Sequence, residues 1–158
     1  MEIERKFLVK TLPEHLSQYQ SHAIEQAYLC TEPVVRVRRQ DDTYYLTYKG
    51  SGLMIREEYN LPLTKDAYAH LLEKADGNVL TKRRYLVPLS DGLKAELDIF
   101  EGKFEGLMLV EVEFSDEKAA QTFHAPEWFG KEVTFSNAFH NSVLSALDTW
   151  DAGTYCSF

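Results

Sequence analysis

A strand-dominated α+β fold is what this sequence predicts, and two observations predict it. Alternation of polar and apolar residues with period two recurs through most of the chain, the mark of strands with two chemically different faces. Turn-forming clusters separate several of the alternating runs, among them Glu32-Pro33, Asp41-Asp42, Gly50-Ser51-Gly52, Ser90-Asp91-Gly92 and Glu101-Gly102. Eight segments read as strands, 2–8, 24–31, 34–40, 44–50, 55–62, 79–88, 94–101 and 106–114. Three read as helices, 64–76, 115–124 and 136–148, and a short turn after Pro13 makes a fourth helical piece.

The strands are defined by what occupies each face. In 2–8, Glu2, Glu4 and Lys6 point one way and Ile3 and Phe7 the other. In 24–31, Gln26 and Tyr28 share a face, and in 34–40 Arg36 and Arg38 oppose Val35 and Val37. Lys49 shares a face with Thr47 and Tyr45, and Arg56, Glu58 and Asn60 oppose Ile55, Tyr59 and Leu61. Thr64 caps the first helix, which carries Ala67, Leu71, Leu72 and Ala75 on one side and stops at Gly77. Lys82 and Arg84 line up in 79–88; Lys94, Glu96 and Asp98 oppose Ala95, Leu97 and Ile99; Glu111 and Glu113 oppose Val110, Val112 and Phe114. Ser115 or Asp116 starts the second helix, and Ser136 the third, with Phe139, Val143, Leu144 and Leu147 as its apolar positions.

Composition narrows the class. With 158 residues, 44% apolar and 13% aromatic, the chain has enough material for one domain with its own core, read over 1–148 with a short tail over 149–158. A formal charge of −8 argues against a protein that wraps nucleic acid or lies on an anionic membrane. No apolar run approaches the roughly 20 residues of a membrane span, and the opening Met-Glu-Ile-Glu-Arg-Lys does not read as a signal peptide. The expectation is a cytoplasmic protein, monomeric or homodimeric. Cys30 and Cys156 read as unreactive thiols, and the five histidines show no metal-binding spacing. Any metal would therefore be held by oxygen.

Two architectures fit the alternation. In an ordinary sheet the charged face is solvated, and for any one strand that is the simpler reading. The charges are grouped, however: Arg and Lys pairs recur on some strands and Glu pairs on others, with little Ser, Thr, Gln or Asn between them. A closed barrel with the charged face inward is the alternative, since eight antiparallel strands close and closure removes exposed edges.

Glu2-Ile3-Glu4-Arg5-Lys6-Phe7-Leu8 resembles the Glu-x-Glu-x-Lys signature that opens the CYTH superfamily, the triphosphate tunnel metalloenzymes. The family's later motifs follow in order: Arg36-x-Arg38, Lys49 after Leu46-Thr47, Arg56-x-Glu58, Lys82-x-Arg84, Glu96-Leu97-Asp98 and Glu111-x-Glu113. Trp128-Phe129-Gly130-Lys131-Glu132-Val133 is similar to a stretch of the short bacterial members. The resemblance runs from residue 2 to about 145. It implies an eight-stranded antiparallel tunnel with helices packed outside, hydrolysing a triphosphate with Mg²⁺ or Mn²⁺. Of the two architectures, it selects the barrel.

The chemistry calls for the same residue types. Lys6, Arg36, Arg38, Lys49, Lys82 and Arg84 are the candidate phosphate donors, with Tyr28 a substrate neighbour and Arg56 a further cation. Glutamates two apart on a strand put both carboxylates on one face about 7 Å apart, a spacing from which two strands converge on a hard cation. By resemblance Glu2, Glu4 and Glu113 hold the metal that grips the phosphates, and Glu111 with Glu58 faces a second metal and the attacking water. Glu58, Glu111 and Arg56 are thus the expected catalytic set, and Glu96 and Asp98 are expected to orient the basic residues. Inorganic tripolyphosphate, cleaved to diphosphate and phosphate, is the expected substrate. Alternatives are a nucleoside or thiamine triphosphate, a class IV adenylate cyclase activity, or a polyphosphate binder without turnover. Asn60 stands where many relatives carry a carboxylate, and 136–148 lacks the Lys or Arg that often plugs one tunnel mouth. On this assignment the inward face sums to +1 and the rest of the molecule to −9.

Overall fold

Every strand expected from the alternation forms, and the sheet they build curls back on itself. A computed structural model describes residues 1–151 and 153. Cys156 and most of the expected tail lie outside the described residues. The strands are β1 (Glu2–Val9), β2 (Ser21–Thr31), β3 (Val34–Gln40), β4 (Thr43–Lys49), β5 (Ile55–Arg56), β6 (Glu58–Leu63), β7 (Asp76–Pro88), β8 (Lys94–Phe100), β9 (Met108–Glu113) and β10 (Phe129–Glu132).

Nine strands follow the order β10-β1-β9-β8-β7-β2-β3-β4-β6, all pairs antiparallel, and β5 pairs with β1. The barrel is near-closed, and the expected count of eight is corrected. The run 55–62 breaks at Glu57 into β5 and β6, which pair with different neighbours: Arg56 and Ile55 lie opposite Glu2 and Ile3, whereas Glu58–Leu63 pairs with β4. One edge of β1 is thereby divided, β5 taking its first residues and β10 its last, Phe7 to Val9. Arg5, on the outer face, fastens this junction. Its guanidinium is bidentate to Glu132 at 3.0 and 2.6 Å and donates to the carbonyls of Ala120 and Phe123.

The apolar face of the strands is the outer one, and helices cover much of it. Helix α1 (Lys65–Leu72), capped by the Thr64 hydroxyl, packs Tyr68, Leu71 and Leu72 on Ala27, Val37 and Leu46. It ends before the expected 76, because Asp76 and Gly77 already begin β7. Helix α2 (Glu117–Thr122), capped by Asp116, adds Ala120 to a cluster with Phe7, Leu97, Val110 and Phe129. Among the described residues, no helix is long and apolar enough to cross a membrane.

The expected helix 136–148 is broken. A 3₁₀ turn, Asn137–Phe139, precedes α3 (Asn141–Ser145), and the two lie over one mouth of the barrel. Phe139 and Leu144 pack on Leu8, Tyr28, Leu80, Phe100 and Leu109, residues that continue the inward faces of their strands. Gly77, at φ 70°, lets Ser145 approach β7, since a Cβ there would collide with the Ser145 carbonyl. The interior is therefore apolar at this capped end and charged beyond it.

Candidate active site

The charged part of the lumen is a cavity of about 530 Å³. Period-two alternation brings Glu2, Glu4 and Lys6 from β1, Arg36 and Arg38 from β3, Lys49 from β4, Lys82 and Arg84 from β7, Glu96 from β8 and Glu111 and Glu113 from β9 to its wall. Arg56 and Glu58 line it too, from the two halves of the broken strand. Tyr28 lines its floor, only 3% exposed among the apolar residues of the cap. A second cavity, about 470 Å³, adjoins it and shares Arg84, Glu96 and Glu113.

The cations divide into two groups. Lys82 and Arg84 are neutralised: Asp98 accepts from Arg84 through Nε and Nη2 at 2.7 and 2.9 Å, and Lys82 Nζ lies 2.6 Å from the same carboxylate. Glu96 takes Arg84 Nη1 at 2.9 Å. Burial opposes ionisation of Asp98, but the Arg84 and Lys82 charges outweigh it and hold this carboxyl below its usual range. Arg36 and Arg38 are buried as deeply, yet among the described residues neither forms a salt bridge. Among the described residues Arg36 Nε has no hydrogen-bond partner, and Arg38 donates Nε to the Gln26 amide oxygen at 2.8 Å and also meets the Tyr45 side chain. Burial and the neighbouring Arg36 and Arg84 charges push the Arg38 pKa down.

The carboxylates divide in the same way. Glu111 lies 3.4 Å from Lys6. Burial works against its charge, but Lys6, Arg84 and Lys82 hold its pKa well below the usual value. Glu4 and Glu113 face each other in register across β1 and β9. Burial and the Glu111 charge raise Glu4 strongly, and burial with Glu96 and Glu58 raises Glu113. Glu2 is raised to about 7 by burial and by its hydrogen bond with Glu58, although Lys49 lies 2.9 Å away. Glu58, 3.2 Å from the same ammonium, is brought low against burial by Glu2, Lys49 and Asn60.

Glu4 and Glu113, facing each other without an ion pair among the described residues, are what a hard divalent cation neutralises, and the donor set is all oxygen. The residues present fit such an ion. Among the described residues, no three His, Cys, Asp or Glu side chains yet stand as a ligating cluster. Glu4 and Glu113 are brought face to face, whereas Glu2 is engaged by Lys49 and Glu111 by Lys6.

Arg56 turns its Nε to the Gly50 carbonyl at 3.0 Å, fixing the loop beside the site. Asn60, where the resemblance leads one to expect a carboxylate, holds Glu58 at 2.9 Å and accepts from Thr47 at 2.6 Å. The sequence pattern does not mark Thr134, which lines the cavity and accepts from the Lys6 backbone N–H. Nor does it give a site role to His140, which lines the cavity and is driven down to about 4 by burial and the Lys6 charge. Neither lies on a strand that alternates, so no periodic signal points to them.

Residues 1–145 match the family model described as the CYTH domain. The chain is 40% identical over 147 residues to an inorganic triphosphatase of Nitrosomonas europaea, covering 91% of this chain and 96% of that one. It is 35% identical over 150 residues to an inorganic triphosphatase of Acetivibrio thermocellus, covering 90% and 92%. Its structure is similar to that of the inorganic triphosphatase NE1496, with a TM-score of 0.72 and 37% identity over 95% of this chain and 97% of that one.

Proposed function

The chain belongs to the CYTH family, and on that premise we propose that it hydrolyses a triphosphate, with inorganic tripolyphosphate as substrate and diphosphate and phosphate as products. One observation carries this reading: two buried arginines without a facing carboxylate share a lumen with carboxylates whose pKa values are raised. A site with excess of both signs, held apart, suits a polyanion together with a divalent cation. A pure anion binder has no use for the carboxylates.

Arg36 and Arg38 would grip the phosphates, aided by Lys6, Lys49, Lys82 and Arg84, and Tyr28 would bound the chain at the floor. Glu2, Glu4 and Glu113, with Glu111 beside them, would hold Mg²⁺ or Mn²⁺. Bound there, the ion supplies neutralisation of phosphate oxygens and activation of water. Glu58 and Glu111 stay ionised, as an acceptor for a water proton requires, and Arg56 stabilises the loop and charge at that end. The functional unit would be residues 1–148, acting in the cytoplasm as monomer or homodimer.

The test is phosphate release from a panel of triphosphates with Mg²⁺ or Mn²⁺. Tripolyphosphate should be cleaved fastest, and Glu4→Ala and Glu113→Ala should abolish turnover. Faster cleavage of ATP would overturn the substrate assignment, and tight binding without turnover would leave a binding protein.

A further inference from the structure

Arg38, on β3, is held by an amide where Arg84, on β7, is held by carboxylates. Gln26, on β2, is fully buried. Arginine only donates, so Gln26 must present Oε1 to Arg38 Nε, at 2.8 Å. Its Nε2 is then left to donate, and does so to Asn141 Oδ1 on α3 at 3.0 Å. The same oxygen faces Lys82 Nζ at 3.3 Å. The direction of each bond in the path Arg38 to Gln26 to Asn141, and from Lys82 to Asn141, is forced by the chemistry of its two charged ends.

The register explains the choice. Arg38 lies opposite Gln26 on one side and Tyr45 on the other, whereas Arg84 lies opposite Asp98. Both arginines use Nε for their holding contact, but Asp98 also takes Nη2 and Glu96 takes Nη1, and together they offset the Arg84 charge. The Gln26 amide and the Tyr45 side chain hold the Arg38 guanidinium through neutral groups and leave its charge for a ligand. Asn141, itself on the cavity wall, ties this arrangement to the helix that caps the barrel.

We propose that Gln26 and Asn141 are positioning residues, a neutral bridge that aims Arg38 and Lys82 at the triphosphate without cancelling the charge of Arg38. This rests on the triphosphatase reading above. Gln26→Glu tests it because the shape is kept while the amide becomes a carboxylate.

With the full chain and Mg²⁺, Gln26→Glu should raise KM for tripolyphosphate roughly tenfold or more while kcat changes far less. The melting temperature without ligand should change little, because the new ion pair with Arg38 offsets the lost donor to Asn141 Oδ1. Gln26→Met, which keeps the Arg38 charge but frees its side chain, should raise KM by a smaller factor. Asn141→Asp keeps the acceptor oxygen and adds charge, and should follow Gln26→Glu in KM. A Gln26→Glu or Asn141→Asp protein with wild-type KM overturns the bridge. If the wild type cleaves no triphosphate, the functional reading fails, and metal-free tripolyphosphate affinity by titration decides the bridge: weaker in Gln26→Glu supports it, unchanged overturns it.

Discussion

The two basic pairs, Arg36-x-Arg38 and Lys82-x-Arg84, have the same spacing and the same inward orientation, yet their surroundings are opposite. Lys82 and Arg84 share Asp98, and Arg84 also pairs with Glu96, so their wall carries charge that is already balanced. Arg36 and Arg38 lie between neutral cross-strand neighbours, Tyr28 and Thr47 for the first, Gln26 and Tyr45 for the second. A lone buried guanidinium costs several kcal/mol, so a fold keeps two side by side where something else supplies the counter-charge. The balanced pair has its counter-charge before any ligand arrives, and the unbalanced pair takes its counter-charge from the ligand.

Removing the unbalanced pair should give the largest effect. Arg36→Ala with Arg38→Ala should lower kcat/KM for tripolyphosphate by about 10³-fold or more, the loss of two sets of charge-assisted phosphate contacts. The ligand-free protein should melt no lower than the wild type, because two mutually repelling charges have gone. A large fall in melting temperature would erase the distinction between the pairs.

The complementary change strikes the balanced pair. Asp98→Asn keeps the shape but leaves Lys82 buried without its carboxylate and Arg84 with Glu96 alone, and should cost about 3–5 kcal/mol of stability in a urea unfolding curve. Activity per folded molecule should fall less than in the arginine double variant. Equal stability of Asp98→Asn and wild type would mean that Asp98 is not what balances this wall.

The carboxylates extend the same comparison to pH. Glu2, raised to about 7, takes up a proton in the folded state between about pH 7 and its unfolded value of 4.5. Through this group the folded state binds more protons than the unfolded one, so metal-free stability rises as pH falls through 7. Asp98 and Glu111, both lowered, contribute stability that is lost only as pH falls below the ordinary carboxylate range. A divalent ion competes with the Glu2 proton, and its affinity should weaken by up to about tenfold per unit below pH 7. Melts from pH 8 to 6 should therefore rise on acidification without metal and stay nearly level in saturating Mg²⁺, where the ion holds Glu2 deprotonated. A parallel pH course with and without Mg²⁺ would separate Glu2 from the metal site.

How much of the fold and site is legible in the sequence follows from which features have a period. Strand alternation by itself puts Glu4, Arg38, Lys82 and Glu113 on one face, because a side chain's face depends only on its place in the strand. Which charge meets which depends on register between strands far apart in sequence, so that Asp98 lies opposite Arg84 but Gln26 opposite Arg38. The break at Glu57 leaves the alternation of Arg56, Glu58 and Asn60 intact, and so is invisible in the pattern. The third helix has regular apolar spacing, but covering the mouth turns both Phe139 and Asn141 toward the interior, and the chain kinks at His140 to do so.

The smallest effect probes the boundary between the pairs. Glu96 takes the remaining Arg84 contact at 2.9 Å, but its side chain is 29% exposed where that of Asp98 is 1% exposed. Water already screens Glu96, so Glu96→Gln should cost under about 1 kcal/mol of stability. It should nevertheless leave the Arg84 charge less cancelled, on the wall common to both cavities. Tripolyphosphate should then bind about two- to threefold more tightly in isothermal titration without metal. Loss of stability on the scale of Asp98→Asn would show that closeness to Arg84, and not burial, decides which carboxylates are structural. Weaker binding would show that Glu96 aims Arg84 at the phosphates, as Gln26 aims Arg38.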